Sequence, residues 1–310
     1  MNGCSVFAGT ANPELTTAIA EELGVALSPC TVERFPDGEL SVHLDESVRG
    51  NEVFIVQPTS PPVNDNLVEL LVFADACRRA AADRVTAVVP YFGYARSDKR
   101  QGLRRPITAS AVADWMRSAG IGHLLTVDVH TPQLEGFFRI PVDDLTAVPL
   151  LSRSLRPEIT GDAVVVTPDV GGVRRATEYA TRLGLPVAVC HKRRASATEV
   201  TVTDITGDVR DRACVIVDDM ITTGGTIAES VRALLAAGAR PDITVAATHG
   251  VFVEGAHARL TEAGVHRVFV TDTVAIAERD WPPLQVVSAA PLIAAAMRRV
   301  IANGSLADLH

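Results

Sequence analysis

Short β-branched runs alternate with longer helical patterns along the whole of this 310-residue chain, and that alternation limits the fold more than any other feature. Strands are expected at 52–56, 84–89, 124–127, 163–167, 187–190, 214–217, 243–248 and 267–270. Helical spacing is read at 66–82, 107–119, 172–183 and 226–237. Parallel neighbours need a crossover, and crossover helices cover both sheet faces, so this rhythm implies an α/β fold of mostly parallel sheets. Unbroken apolar runs at 164–166 and 214–217 suit strands buried on both faces. The length is comfortable for two such domains, each with its own core. They are expected to meet near 143–160, where Pro149, Pro157 and Gly161 interrupt the pattern. The reading is an N-terminal domain over 1–146 and a C-terminal domain over 147–289, with a last apolar helix at 290–302 packing back on the first.

A formal charge of −8 argues against nonspecific nucleic-acid binding, which runs on clustered Lys and Arg. Any polyanionic ligand therefore needs a local basic patch. The five cysteines are scattered and never spaced as CxxC, which reads as reduced thiols without a disulfide framework or zinc site. No basic segment leads into an apolar run at the N-terminus, and no apolar stretch has the length of a membrane span. A soluble, cytoplasmic protein is expected.

Residues 215–227, VIVDDMITTGGTI, carry the densest chemistry. An apolar strand delivers Asp218 and Asp219, and a turn of Thr222, Thr223, Gly224, Gly225 and Thr226 then opens a helix. Glycines let the backbone approach a ligand closely, and turn amides with a helix N-terminus suit an anion. Adjacent carboxylates can accept from neighbouring sugar hydroxyls, so one loop can grip a sugar phosphate at both ends. An ordinary acidic βα turn is the bland alternative. No GxxxxGK[ST] occurs, so ATP, if bound, is not held by a P-loop.

The loop resembles the PRPP-binding signature shared by type I phosphoribosyltransferases and PRPP synthetases, PRPP being phosphoribosyl pyrophosphate. RFPDGEL (34–40), YFGYARSDKR (91–100), VDVHTPQLEGFF (127–138), VVTPDVGGVRRA (165–176) and HKRR (191–194) resemble PRPP-synthetase segments in the order of that family, and the similarity runs on to 286–300. By this resemblance the chain is identified as a member of the ribose-phosphate pyrophosphokinase family. The family's fold implies two type I phosphoribosyltransferase-like domains related by a pseudo-twofold axis. Its activity implies transfer of pyrophosphate from ATP to ribose 5-phosphate with Mg2+, in a homo-oligomer with shared active sites.

The resemblance assigns ATP contacts to Phe35, Asp37, Glu39 and Arg96, where a guanidinium can hold two phosphate oxygens. Taken alone, Pro36-Asp37-Gly38 is good turn chemistry and the 96–105 run is a solvated loop of charges. His130 and Asp169 match the family's magnesium-linked positions; a structural histidine and a helix N-cap are the competing readings. Lys192 and Arg194 match the catalytic basic pair at the base of a flap, read at 195–206, against the alternative of a surface charge cluster. The loop at 218–226 would bind ribose 5-phosphate. Two positions depart from the common pattern: Ser97 stands where many members have Gln, and Thr222 where many have a third Asp. Two other functions share some of these features. A PRPP-consuming transferase would need the loop but not the first domain, and a non-catalytic regulatory paralogue would be expected to lose Lys192, Arg194, His130 and Asp169.

Overall fold

The computed structural model describes residues 3–100, 102–194 and 200–309, with side chains outside 192–203. The chain divides into two compact units. The first comprises residues 1–146, 273–275 and 288–310, and the second 147–272 and 276–287.

In the first unit, β1 (Cys4–Ala8), β4 (Glu52–Val56), β5 (Arg84–Val89), β6 (His123–Val127) and β7 (Val142–Leu145) form a parallel sheet in the order β1-β4-β5-β6-β7. Between β1 and β4 run α1 (Pro13–Leu23) and an antiparallel hairpin of β2 (Cys30–Arg34) and β3 (Leu40–Leu44). The crossovers are α2 (Val63–Arg79) and α3 (Thr108–Ala119). α1 starts where Asn12 accepts from the Leu15 amide at 3.2 Å and Pro13 occupies the first turn, where its missing N–H costs nothing. Its core centres on Phe7 and Phe73, fully buried with ring centroids 5.3 Å apart, each worth about 1.5–3 kcal/mol by area.

The second unit opens with α4 (Val148–Leu155) and continues through β8 (Val164–Thr167), α5 (Val173–Leu183), β9 (Val187–Arg194), β10 (Val200–Thr206), β11 (Cys214–Ile221), α6 (Gly225–Ala236), β12 (Ile243–Gly250), α7 (Ala256–Glu262), β13 (Arg267–Thr271) and β14 (Leu284–Val287). Its sheet order is β10-β9-β8-β11-β12-β13-β14, parallel except for β10. β8 and β12 are buried at every residue, as central parallel strands must be. The chain leaves β8 toward β9 and returns on the other side to β11, so the order reverses between β8 and β11. Ligands of open α/β sheets bind beyond the carboxyl ends of strands at such a reversal. The final helix, α8 (Ala290–Ile301), belongs to the first unit and packs on α1. Among the described residues no helix is long and apolar enough to cross a membrane.

Three sequence expectations change. Residues 148–155, read as an interrupted junction, form α4, because Pro149 falls in its first turn, where proline is tolerated. Within the expected flap, 200–206 form β10 on the sheet edge against β9, while 195–199 lie outside the described residues. β11 runs on past the apolar run, so Asp218 and Asp219 sit inside a paired strand, with Asp218 opposite Ala247.

Candidate active site

In the second unit the carboxyl ends of β8 and β11 lie side by side and carry two acidic loops. Asp219 is buried and Asp218 partly so. Asp218 Oδ1 accepts from the Asp219 amide at 2.9 Å, and Asp219 Oδ1 from the Met220 amide at 2.9 Å. Burial pushes the Asp218 carboxyl well above its ordinary value, and the charge and hydrogen bond of Asp219 push the same way, while the Arg175 guanidinium opposes them.

Thr222, Thr223, Gly224, Gly225 and Thr226 turn the end of β11 into the first turn of α6. Gly224 is left-handed at φ 73°, which favours glycine, and a Cβ there would crowd Leu260 Cγ at 3.1 Å. The Gly225 amide donates to Thr223 Oγ1 at 3.3 Å. The first-turn amides of α6 have no intrahelical acceptor and carry the positive end of the helix dipole, which suits a phosphate.

Asp169 follows β8 and is exposed. Its side chain accepts from the Gly172 amide at 3.3 Å, capping the short turn that enters α5, and its carbonyl accepts from Thr167 Oγ1 at 2.8 Å. The capping role is therefore real and leaves the carboxylate at the surface beside the reversal point. Lys192 and Arg194 lie on β9, paired with Val202 and Val200 of β10.

The first unit gathers other segments. Arg96 is exposed on the loop after β5, and His130 is exposed on the loop after the adjacent β6. Thr131 Oγ1 donates to Asp98 Oδ2 at 2.8 Å, which ties those two loops together. Asp128, at φ 43°, accepts from Thr146 Oγ1 at 2.9 Å, and Asp144 Oδ1 accepts from the Val129 amide at 3.1 Å. The His130 loop is thus held from β7. Phe35, Asp37 and Glu39 occupy the tip of the β2–β3 hairpin. The Phe35 amide donates to the Glu39 carbonyl at 2.8 Å and the Glu39 amide to Asp37 Oδ1 at 3.1 Å. The turn chemistry is present, and it leaves Phe35 46% exposed.

Among the described residues no three His, Cys, Asp or Glu side chains group as a metal cage would require. Burial pushes the thiols of Cys77 and Cys214 up to about 12, which leaves neither suited to nucleophilic chemistry. Arg175 escaped the sequence reading as a site residue. Its chain neighbourhood, VRRA, shows only a charged helix start, and its closeness to Asp218 comes from the packing of α5 against β11.

A paired-carboxylate strand entering a glycine–threonine turn at a sheet reversal is the build of a phosphoribosyl-binding domain, and residues 151–278 match the family described as the phosphoribosyl transferase domain. Residues 4–120 match the N-terminal domain of ribose phosphate pyrophosphokinase. The chain is 43% identical to a ribose-phosphate pyrophosphokinase of Gloeobacter violaceus over 98% of its own length and 92% of the relative's. It is 42% identical to one of Campylobacter jejuni, covering 100% of this chain and 99% of the other. A crystal structure of phosphoribosylpyrophosphate synthetase from Mycobacterium smegmatis superposes with a TM-score of 0.91 at 43% identity, over 98% of this chain and 100% of that one. The chain belongs to the ribose-phosphate pyrophosphokinase family.

Proposed function

We propose that the chain is a ribose-phosphate diphosphokinase, transferring the β,γ-pyrophosphoryl group of Mg-ATP to the C1 hydroxyl of ribose 5-phosphate to give PRPP and AMP. One conjunction carries this reading: the sugar-phosphate loop at 218–226 shares its chain with a complete first α/β unit matched to the pyrophosphokinase N-terminal domain. A transferase that consumes PRPP would have no use for that unit.

The C1 oxygen bonds to the β-phosphorus in line, as the bond from that phosphorus to the α,β-bridging oxygen breaks. AMP leaves with that oxygen, and the hydroxyl proton passes to water. Such a transfer needs alignment and fixed positive charge more than covalent help. Asp218 and Asp219 orient the ribose through its hydroxyls, while Thr222, Thr223, Gly224, Gly225 and Thr226 hold the 5-phosphate. Lys192 and Arg194 place charge on the transferring and leaving phosphates. Phe35 stacks on adenine, Asp37 and Glu39 contact its polar edge, and Arg96 grips the ATP phosphates. The hairpin tip serves a neighbouring copy in a homo-oligomer, a role suited to so exposed a Phe35.

The donor set fits Mg2+ in its usual habit of keeping waters and phosphate oxygens with few protein ligands. Asp169 offers a hard carboxylate oxygen, and the His130 imidazole suits a metal-bound water better than the ion itself. The ion supplies neutralising charge to the phosphates. A cytoplasmic location suits the reaction and its substrates, and free cysteines at all five positions fit a reducing compartment.

Phosphorus NMR of the protein with Mg-ATP and ribose 5-phosphate tests the assignment. AMP and PRPP should grow in equal amounts. Slow loss of added PRPP only when a nucleobase is present would replace this reading with a transferase.

A further inference from the structure

We infer that Arg259 is a positioning residue for the sugar-phosphate loop, an inference that rests on the function proposed above. Three successive carbonyls at the end of β11 are tied to one neighbouring segment. The Ile221 carbonyl accepts from the amides of Val251 and Phe252 at 3.0 Å each, and the Thr222 carbonyl from the Val253 amide at 3.1 Å. The Thr223 carbonyl accepts from the guanidinium of Arg259, half-buried on α7. Along an extended strand successive carbonyls point alternately to either side. Three drawn to a single segment therefore mark a curled backbone.

The carbonyl and N–H of one trans peptide point in opposite directions. Holding the Thr223 carbonyl against Arg259 thus aims the Gly224 amide toward the loop's other side. Successive amides aimed away from their carbonyls form an anion-binding concavity. The same restraint keeps a carbonyl's negative end from turning toward a phosphate. Two of the three ties are made by backbone amides. The third, at the peptide that enters the left-handed Gly224, depends on one side chain. Leu260, the next residue, packs beneath Gly224, so α7 both supports the turn and fixes its direction.

The test is Arg259→Ala and Arg259→Lys in the full chain, with calorimetric Kd for ribose 5-phosphate and for Mg-ATP, KM for each substrate, and melting temperature. Arg259→Ala should weaken ribose 5-phosphate by roughly tenfold to a hundredfold, the size of one charge-assisted hydrogen bond, and leave Mg-ATP within about twofold. Arg259→Lys should recover part of the loss, since it keeps the charge and a donor but not the fork. Unchanged ribose 5-phosphate affinity, or equal loss for both substrates, overturns the inference. Should Arg259→Ala not fold, Arg259→Lys decides alone: selective weakening of ribose 5-phosphate supports the role, and none removes it. Wild-type turnover separates the two levels. An active wild type with an indifferent Arg259→Ala, or an indifferent Arg259→Lys where the alanine variant does not fold, sinks only the positioning role, whereas a wild type that makes no AMP from these substrates sinks the proposed function with it.

Discussion

Asp218, proposed above to orient the ribose, costs the unliganded protein stability when it ionises. Its carboxyl is held well above the ordinary value, so the folded state disfavours the carboxylate. The resulting penalty is absent below the unfolded value of about 3.9 and grows as pH rises toward the folded value. Asp218→Asn removes it. The unliganded variant should melt a few degrees above wild type at about pH 8, converge with it near about pH 4, and bind ribose 5-phosphate at least about tenfold more weakly. Equal melting curves at the higher pH would show that the carboxylate carries no such strain. Lys192→Ala should lower kcat by about a hundredfold or more with Mg-ATP affinity largely kept, the pattern of charge applied in the transition state. A near-normal kcat would remove Lys192 from the chemistry. At this scale the sequence was legible where the candidate residues are contiguous, as in the strand-to-helix turn from Asp218 to Thr226. It was silent on Arg175 near Asp218 and on Arg259 at the Thr223 carbonyl, because each arrives across a helix packing that no local pattern announces.

Among the elements, most buried strands were read, although β1, buried at its three central residues, was not. β4 and β5 keep the expected bounds, because four and five of their residues are buried and the apolar signal is unbroken. β2 and β3 were not recognised. Cys30, Val32, Val42 and Leu44 alternate along the ribbon and pack on the first core only partly buried, and the intervening exposed Thr31, Glu33 and His43 mask the short apolar signal. β9 and β11 were read too short, since polar residues at strand ends continue the ladder without an apolar run. The hairpin makes a specific prediction because its tip is separate from any core. Phe35→Ala should raise KM for Mg-ATP by about tenfold, as loss of a stacking platform does, with KM for ribose 5-phosphate unchanged and melting within about a degree. A shift in both KM values would mean that the tip acts on more than the nucleotide.

For the whole molecule the notable feature is that the first unit is discontinuous in sequence. Its sheet is finished by residue 145, yet α1 is covered by α8. Arg298 donates to the Glu22 carbonyl at 2.8 Å, and the Thr146 amide to the Leu309 carbonyl at 3.2 Å. Met297 is fully buried on α8. Met297→Ala should cost about 2–4 kcal/mol, read as a lower denaturant midpoint with the far-ultraviolet spectrum of the folded state retained. A change below about half a kcal/mol would mean that α8 is an ornament to the unit rather than part of its core. The chain also carries a timetable. At a synthesis rate of about 5–20 residues per second, the apolar side of α1 emerges early and then waits on the order of tens of seconds for residues 290–301 to be made. The whole of the second unit leaves the ribosome during that wait, so the unit begun first is the one completed last.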